Sequence, residues 1–276
     1  MDEIKNGCLW LWEQQTDYIL CEGDIETLPT LFNQDEERYF YNQYLNSWSM
    51  VSCTIFAAVW MLSDLMNYKF SYDEIKEIDD LSYTRWRIKW QGWYVQNAVK
   101  LVADWWNERK SDKVAYYRIS KYNDEVIEKV LSKNYTLDTN YNGNKKYWDD
   151  KKDGVLDGTD FGVWTYGHSV DIISNKGKRS VKDSWSTNQI YELKHKISEI
   201  KCYWSYLYLY TKVAEDNLEE VKRWNEIRVR LLQGIPLNSE LWNLTKSKVY
   251  QNKLHDMNNT FREWLDYIDN KLKSLS

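Results

Sequence analysis

The chain has 276 residues, of which 43% are hydrophobic and 29% charged, and this composition excludes an intrinsically disordered protein. Its net charge of −5 gives no electrostatic footprint for nucleic acid, and its most apolar stretch, residues 54–62, is far shorter than the roughly 20 residues of a membrane span. We therefore predict neither nucleic acid nor a membrane as a partner.

Helices are predicted to dominate the first half of the chain. After a lead-in segment over residues 1–37, residues 54–66 are apolar on every side, which predicts a buried helix at the centre of the core. Further amphipathic helices are predicted at residues 71–81, after Gly92 and at residues 123–132. One strand is predicted at residues 114–119. Ser71 is the expected N-cap of the first of these helices.

Strands are predicted to dominate the chain beyond Leu137. They fall at residues 162–165, 168–174, 178–183, 190–193 and 201–212. Helices followed by antiparallel strands are typical of the α+β class. The sequence therefore predicts a buried central helix packed on an antiparallel sheet, within one domain that spans residues 1–212.

Residues 213–276 are predicted to form a C-terminal helical appendage. An apolar stripe spans residues 214–231, and Gly234, followed by Pro236, is predicted to end that helix before a new one begins. The last helix carries apolar residues at helical spacing over residues 254–275. Because the chain also contains 16 Trp and 22 Tyr, these helices indicate a surface for a protein partner.

His168 and Asp183 are predicted to lie on one hairpin. Residues 174–177 contain Asn and Gly and predict the turn between two strands. If the turn is centred between Asn175 and Lys176, then His168 and Asp183 lie directly opposite each other, with Cβ atoms about 4.5–5.5 Å apart. A register shift of two leaves them on one face as a diagonal pair, and a shift of one separates them onto opposite faces.

Cys53 directly precedes the buried helix, so its sulfur is expected near the positive end of the helix dipole. That position, with an imidazolium nearby, favours the thiolate. Of the three histidines, His195 lies in a charged segment and His255 on a helix face, whereas His168 follows a glycine and enters an apolar strand. A lone cysteine in an apolar helix is also a common core residue, and that alternative fits Cys202 well.

The four cysteines include no Cys-x-x-Cys pair, so the sequence predicts neither a metal site nor a cofactor. The first residues lack the apolar core of a signal peptide. We therefore expect reduced thiols in a cytoplasmic protein, with attachment to a viral particle as the alternative location.

Around these residues the chain resembles the papain-like cysteine peptidases over residues 38–211. The segments that carry the resemblance, in the family's order, are Gln43 to Ala58 around Cys53, Gly167-His168-Ser169-Val170, and Val181-Lys182-Asp183-Ser184-Trp185-Ser186. The resemblance implies a papain-like α+β fold in which Cys53 is the nucleophile, His168 the general base and acid, and Asp183 the residue that orients His168. Asp183 stands where the family commonly has Asn.

The resemblance also implies that Gln43 joins the backbone N–H of Cys53 in holding an oxyanion, and that Trp185 covers the His–Asp pair. Gln43 lies ten residues before Cys53, farther than is usual in the papain branch, so Asn42 and Asn46 are alternatives. The glycines that the family usually has close before the cysteine and after the tryptophan are replaced here.

The predicted function is hydrolysis of peptide bonds in a peptide or protein substrate by a Cys-His-Asp thiol mechanism. The missing glycines, the aromatic residues and the C-terminal helices motivate an alternative. In that alternative the chain is a catalytically inactive, peptidase-like structural or interaction subunit of a larger assembly, including a viral one.

Overall fold

The computed structural model describes most of the chain, with gaps. The described residues are 19–20, 22–31, 39–43, 52–85, 87, 93–119, 124–143, 155–156, 166–185, 190–194, 207–244 and 248–275. The predicted strand at residues 162–165 and the alternative oxyanion residue Asn46 lie outside them.

The predicted helices of the first half are confirmed. The helices in this half of the chain are α1 (Glu22–Thr27), α2 (Cys53–Met66), α3 (Tyr72–Thr84), α4 (Val95–Arg109) and α5 (Asp124–Ser132). Every residue of α2 from Cys53 to Leu65 is buried, as its uniformly apolar sequence predicts. Helix α2 ends at Asn67, which has a φ of 49° and so adopts the left-handed conformation that closes many helices.

Ser71 caps α3 as predicted. Its Oγ accepts a hydrogen bond from the backbone N–H of Glu74 at 3.1 Å, and the Glu74 carboxylate accepts one from the Ser71 backbone N–H at 2.8 Å. This reciprocal pair is a capping box, which satisfies two N–H groups that a helix start would otherwise leave without an acceptor.

The strands form one sheet. They are β1 (Ile19–Leu20), β2 (Lys113–Ile119), β3 (Leu137–Gly143), β4 (Val155–Leu156), β5 (Tyr166–Asn175), β6 (Lys178–Lys182), β7 (Ile190–Leu193) and β8 (Tyr208–Val213). Within the described part of the chain their order is β1-β2-β8-β3-β5-β6-β7-β4. The six inner strands are antiparallel, and the two-residue outer strands, β1 and β4, pair in parallel.

Helix α2 packs on the sheet against β5, β8 and β3, and α4 packs behind it on β2. The predicted α+β class, with a buried central helix on an antiparallel sheet, is therefore confirmed. One central strand is not predicted by the sequence: β3, with the residues Leu-Asp-Thr-Asn-Tyr-Asn-Gly, is too polar to indicate a buried strand.

The C-terminal residues form two long antiparallel helices, α6 (Leu218–Leu244) and α7 (Lys248–Leu275). They pack on β2 through a small apolar cluster of Ala115, Val213, Val221 and Leu275. The predicted helix end at Gly234 is wrong, because α6 runs through both Gly234 and Pro236. A Cβ at Gly234 would lie 2.5 Å from the Phe261 ring, so the glycine serves the close approach of α7 rather than a helix end.

Helix α7 exposes apolar side chains. Met257, Trp264 and Tyr267 are each about half exposed and form an apolar ridge, with Trp224 of α6 beside Tyr267.

Across the described residues, no helix combines the length and the apolar character that crossing a membrane requires.

Candidate active site

Cys53 is the first residue of α2, and its side chain is 1% exposed. The first N–H groups of a helix point out of its end and carry the positive pole of the helix dipole. A thiolate at this position is therefore stabilised by the helix itself.

In the hairpin that carries His168 and Asp183, the observed register differs by two residues from the one that would place these residues directly opposite each other. Its two-residue loop is Lys176-Gly177, with φ of 50° and 75°, as a type I′ turn requires. Because Asp171 pairs with Lys182, the predicted direct opposition of His168 and Asp183 is wrong. The two residues are instead a diagonal pair, and the shift of two keeps them on one face.

The imidazole of His168 is held by Asp183. Their Nε2 and Oδ1 atoms are 2.9 Å apart, and both side chains are completely buried. The same Oδ1 accepts the backbone N–H of Trp185 at 2.8 Å, which fixes the carboxylate. The Trp185 ring stacks on the imidazole with centroids 3.9 Å apart and planes inclined by 26°, so the predicted cover of the pair is confirmed.

The electrostatics around His168 favour the imidazolium. Burial alone disfavours the charged ring, but the charge and hydrogen bond of Asp183, together with interactions with Cys53, outweigh it and raise the pKa of His168 above its ordinary value. Because Nε2 is bonded to Asp183, Nδ1 is the ring nitrogen that remains for the thiol proton. The arrangement suits a thiolate–imidazolium pair.

Gln43 is buried and is tied to the residue that follows Asp183. Its backbone N–H donates to the Ser184 carbonyl at 3.2 Å, and the Ser184 hydroxyl donates to Gln43 Oε1 at 2.6 Å. These bonds orient the carboxamide, with its N–H₂ group on the side away from Ser184. The alternative residue Asn42 is bound through its backbone N–H to the Tyr72 hydroxyl at 2.9 Å.

A buried charged network next to Cys53 is not predicted by the sequence. The Ser52 hydroxyl donates to Asp79 Oδ1 at 2.6 Å, and Arg87 donates to Ser52 Oγ at 3.1 Å while forming an ion pair with Asp79. Ser52 is the N-cap residue of α2, yet its side chain makes no capping bond because it is held by this network. No local pattern signals it, since Asp79 lies on an ordinary amphipathic helix and Arg87 in a charged segment.

No protein-family model matches the chain, and a comparison with curated proteins finds no match. Among the described residues, no group of three or more His, Cys, Asp or Glu side chains is arranged to hold a metal ion.

Replacing Asp183 is expected to lower the pKa of His168. Asp183→Asn removes the negative charge but keeps an acceptor for Nε2, and Asp183→Ala removes both. We expect the pKa to fall by about 1–3 units, more in the alanine variant. Proton NMR titration of the chain's three imidazoles measures it, with exposed His255 as the internal control. Equal His168 pKa values in all three proteins would contradict the role of Asp183.

The same shift links stability to pH. Because the folded-state pKa of His168 is raised, its contribution to the free energy of unfolding is fully present below about pH 6.5, the unfolded value. That contribution is lost as the pH rises through the folded-state pKa. Asp183→Asn is expected to flatten this loss in urea unfolding measured between pH 6 and 9.

Proposed function

We propose that the chain is a cysteine peptidase of papain-like fold, in which Cys53 and His168 hydrolyse a peptide bond in a peptide or protein substrate. The observation that carries the proposal is the buried His168–Asp183 hydrogen bond, placed where the same imidazole interacts with Cys53 at the start of α2. A thiol, an imidazole and a carboxylate in this arrangement suit nucleophilic catalysis, because the thiol needs a base and the base needs a group that orients it.

The proposed reaction begins with proton transfer from the Cys53 thiol to His168 Nδ1. The thiolate attacks the carbonyl carbon of the scissile bond, and the negative charge moves to the carbonyl oxygen. His168 then gives its proton to the leaving amine, and an acyl-enzyme remains on Cys53. Water, deprotonated by His168, attacks the acyl-enzyme, and the carboxylic acid leaves as the thiol is restored.

Two donors are proposed to hold the oxyanion. One is the backbone N–H of Cys53, because the N–H groups of a first helical turn point out of the helix. The other is the carboxamide of Gln43, which is fixed by its two bonds to Ser184. Asp183 keeps the imidazole oriented, and the Trp185 ring excludes water from that hydrogen bond.

Covalent labelling tests the proposal directly. The full chain is treated with a thiol-directed epoxide at neutral pH, and the modified peptides are identified by mass spectrometry. We expect Cys53 to be modified much faster than Cys8, Cys21 and Cys202, and peptide hydrolysis to be lost in parallel. Preferential labelling of Cys202, or hydrolysis that survives complete modification of Cys53, would overturn it.

A second function is favoured by the exposed ridge of Met257, Trp264 and Tyr267 on α7. Aromatic residues exposed side by side are typical of protein interfaces, so the chain is alternatively an inactive interaction subunit. A chain that is monomeric in solution and hydrolyses peptides would argue against this reading. A chain that lacks hydrolysis, and whose Cys53 reacts no faster than its other thiols, would favour it.

A further inference from the structure

A cavity of about 390 Å³ lies where the C-terminal helices meet the rest of the chain. It is lined by Leu65 at the end of α2, Thr211 of β8, Arg228 of α6 and Leu272 of α7. Its volume falls within the range of about 300–1,000 Å³ that is typical of small-molecule sites. Because α2 rises by about 1.5 Å per residue, Leu65 lies about 18 Å along the helix from Cys53. The cavity is therefore separate from the candidate active site.

The lining of the cavity combines aliphatic side chains with positive charge. Its aliphatic residues are Leu28, Pro29, Leu31, Leu65 and Leu272. Lys212 and Lys273 also line it and are exposed, so the cavity opens to solvent beside two ammonium groups. Arg228 is paired with Asp269 at 2.6 Å, whereas Lys212 makes no ion pair or hydrogen bond with the described residues. None of the described residues that line the cavity is acidic.

Tyr135 contributes a buried hydroxyl to the same lining. The residue is 3% exposed, and its hydroxyl makes no hydrogen bond with the described part of the chain. The buried hydroxyls of Tyr41 and Tyr210, by contrast, are bonded to Ser63 and to the Val99 carbonyl. Burial raises the pKa of Tyr135 to about 12, so at neutral pH the hydroxyl keeps its proton and remains a donor. An unpaired buried donor is costly, and the cavity is the space in which an acceptor can reach it.

These three properties together favour one class of ligand. A hydroxyl donor next to an unpaired ammonium group binds a carboxylate, because both of them stabilise negative charge. The aliphatic walls favour a hydrocarbon chain, which leaves water when it packs against them. A neutral hydrocarbon would leave the Tyr135 hydroxyl without an acceptor, and a cationic ligand would meet Lys212 and Lys273 without an acidic partner in the described lining.

We propose that this cavity binds a small amphipathic monocarboxylate, such as a medium-chain fatty acid, with its carboxylate held by Tyr135 and Lys212 and its chain packed on the leucines. Binding of this kind does not involve Cys53 or His168, so it goes beyond the proposed peptidase activity and does not depend on it.

Isothermal titration calorimetry of the full chain with decanoate, kept below its micelle-forming concentration, tests the proposal. We expect saturable binding of one decanoate per chain. Acetate has the carboxylate without the chain, and decyltrimethylammonium has the chain with the opposite charge. Both are expected to bind at least about tenfold more weakly, for lack of apolar contact and for charge repulsion respectively. Uptake of decanoate without saturation, or binding of either comparison compound as tightly as decanoate, would overturn the proposal.

Two substitutions locate the binding site. Tyr135→Phe removes only the hydroxyl, which has no protein partner to lose, so the fold is expected to persist while decanoate binds about tenfold more weakly. Lys212→Met changes an exposed side chain and is expected to weaken binding about threefold, with a smaller effect at high salt.

Lys100→Met is the matched control, because Lys100 is an exposed lysine on α4 outside the lining of the cavity. It is expected to leave the affinity for decanoate unchanged. Wild-type affinity in Tyr135→Phe would place decanoate elsewhere and overturn the proposal. Equal losses in Lys212→Met and Lys100→Met would overturn the role of Lys212.

Discussion

Cys53→Ala is expected to reduce peptide hydrolysis by on the order of 10³-fold or more, because the acyl-enzyme cannot form without the sulfur. The side chain is buried at the start of α2, and alanine fits the same space with only a small cavity. Far-ultraviolet circular dichroism and the unfolding midpoint are therefore expected to remain close to those of the wild type. Hydrolysis of a labelled protein substrate such as casein gives the rate.

Cys202→Ala provides the matched control for that experiment, since it removes one of the three other thiols in the sequence. It is expected to keep full activity. If Cys53→Ala retains hydrolysis, or if both variants lose it equally, Cys53 is not the nucleophile. If neither variant nor the wild type hydrolyses any substrate, the reading of an inactive interaction subunit gains support.

Arg87→Met is expected to lower the free energy of unfolding by about 3–5 kcal/mol. The guanidinium is completely buried against Asp79 and Ser52, so its removal leaves a carboxylate in the interior without its cation. The double variant Arg87→Met/Asp79→Leu removes both charges and is expected to recover most of that loss. Urea unfolding of the wild type, both single variants and the double variant gives the full cycle.

The pair of Arg85 and Asp104 is the matched control for this prediction. Its atoms are 2.7 Å apart, but the two side chains are 40% and 29% exposed. Arg85→Met is therefore expected to cost at most about 1 kcal/mol. A loss in Arg87→Met that is no larger than in Arg85→Met would show that the buried network does not stabilise the fold.

The Arg87 network also connects stability to the site. Ser52 is held by Asp79 and Arg87 and immediately precedes Cys53, so the network fixes the start of α2. The double variant removes both charges and also removes the hydrogen bonds that position Ser52. We therefore expect the double variant to recover stability while Cys53 remains slower to react with iodoacetamide than in the wild type.

Local patterns predicted the helices correctly because their causes are local. The uniform burial of α2 follows from its apolar residues, and the start of α3 follows from Ser71 and Glu74, which are three residues apart. The same local reasoning predicted that α6 ends at Gly234, and there it was wrong. The glycine is needed for contact with Phe261 on the neighbouring helix, which no signal near Gly234 reveals.

The hairpin illustrates an intermediate case. Asn175 and Gly177 indicated a turn between β5 and β6, and the residues of both strands were predicted. The register depended on which two residues form the loop, and Lys176 adopts a positive φ that lysine does not signal. The shift of two changed the pairing of His168 and Asp183 but kept them on one face, so their hydrogen bond forms.

By itself, the sequence determined the helical core, the α+β class and the residues from which a thiol site can be built, because apolar periodicity, capping and turn residues act over a few positions. Only the tertiary structure decided that Asp79 and Arg87 hold Ser52, and that Asp138 is buried and accepts a hydrogen bond from Ser169. These are buried polar residues from distant parts of the chain. Their positions depend on which partners the folded interior supplies, and a polar side chain in a sequence looks the same whether it will meet water or a buried charge.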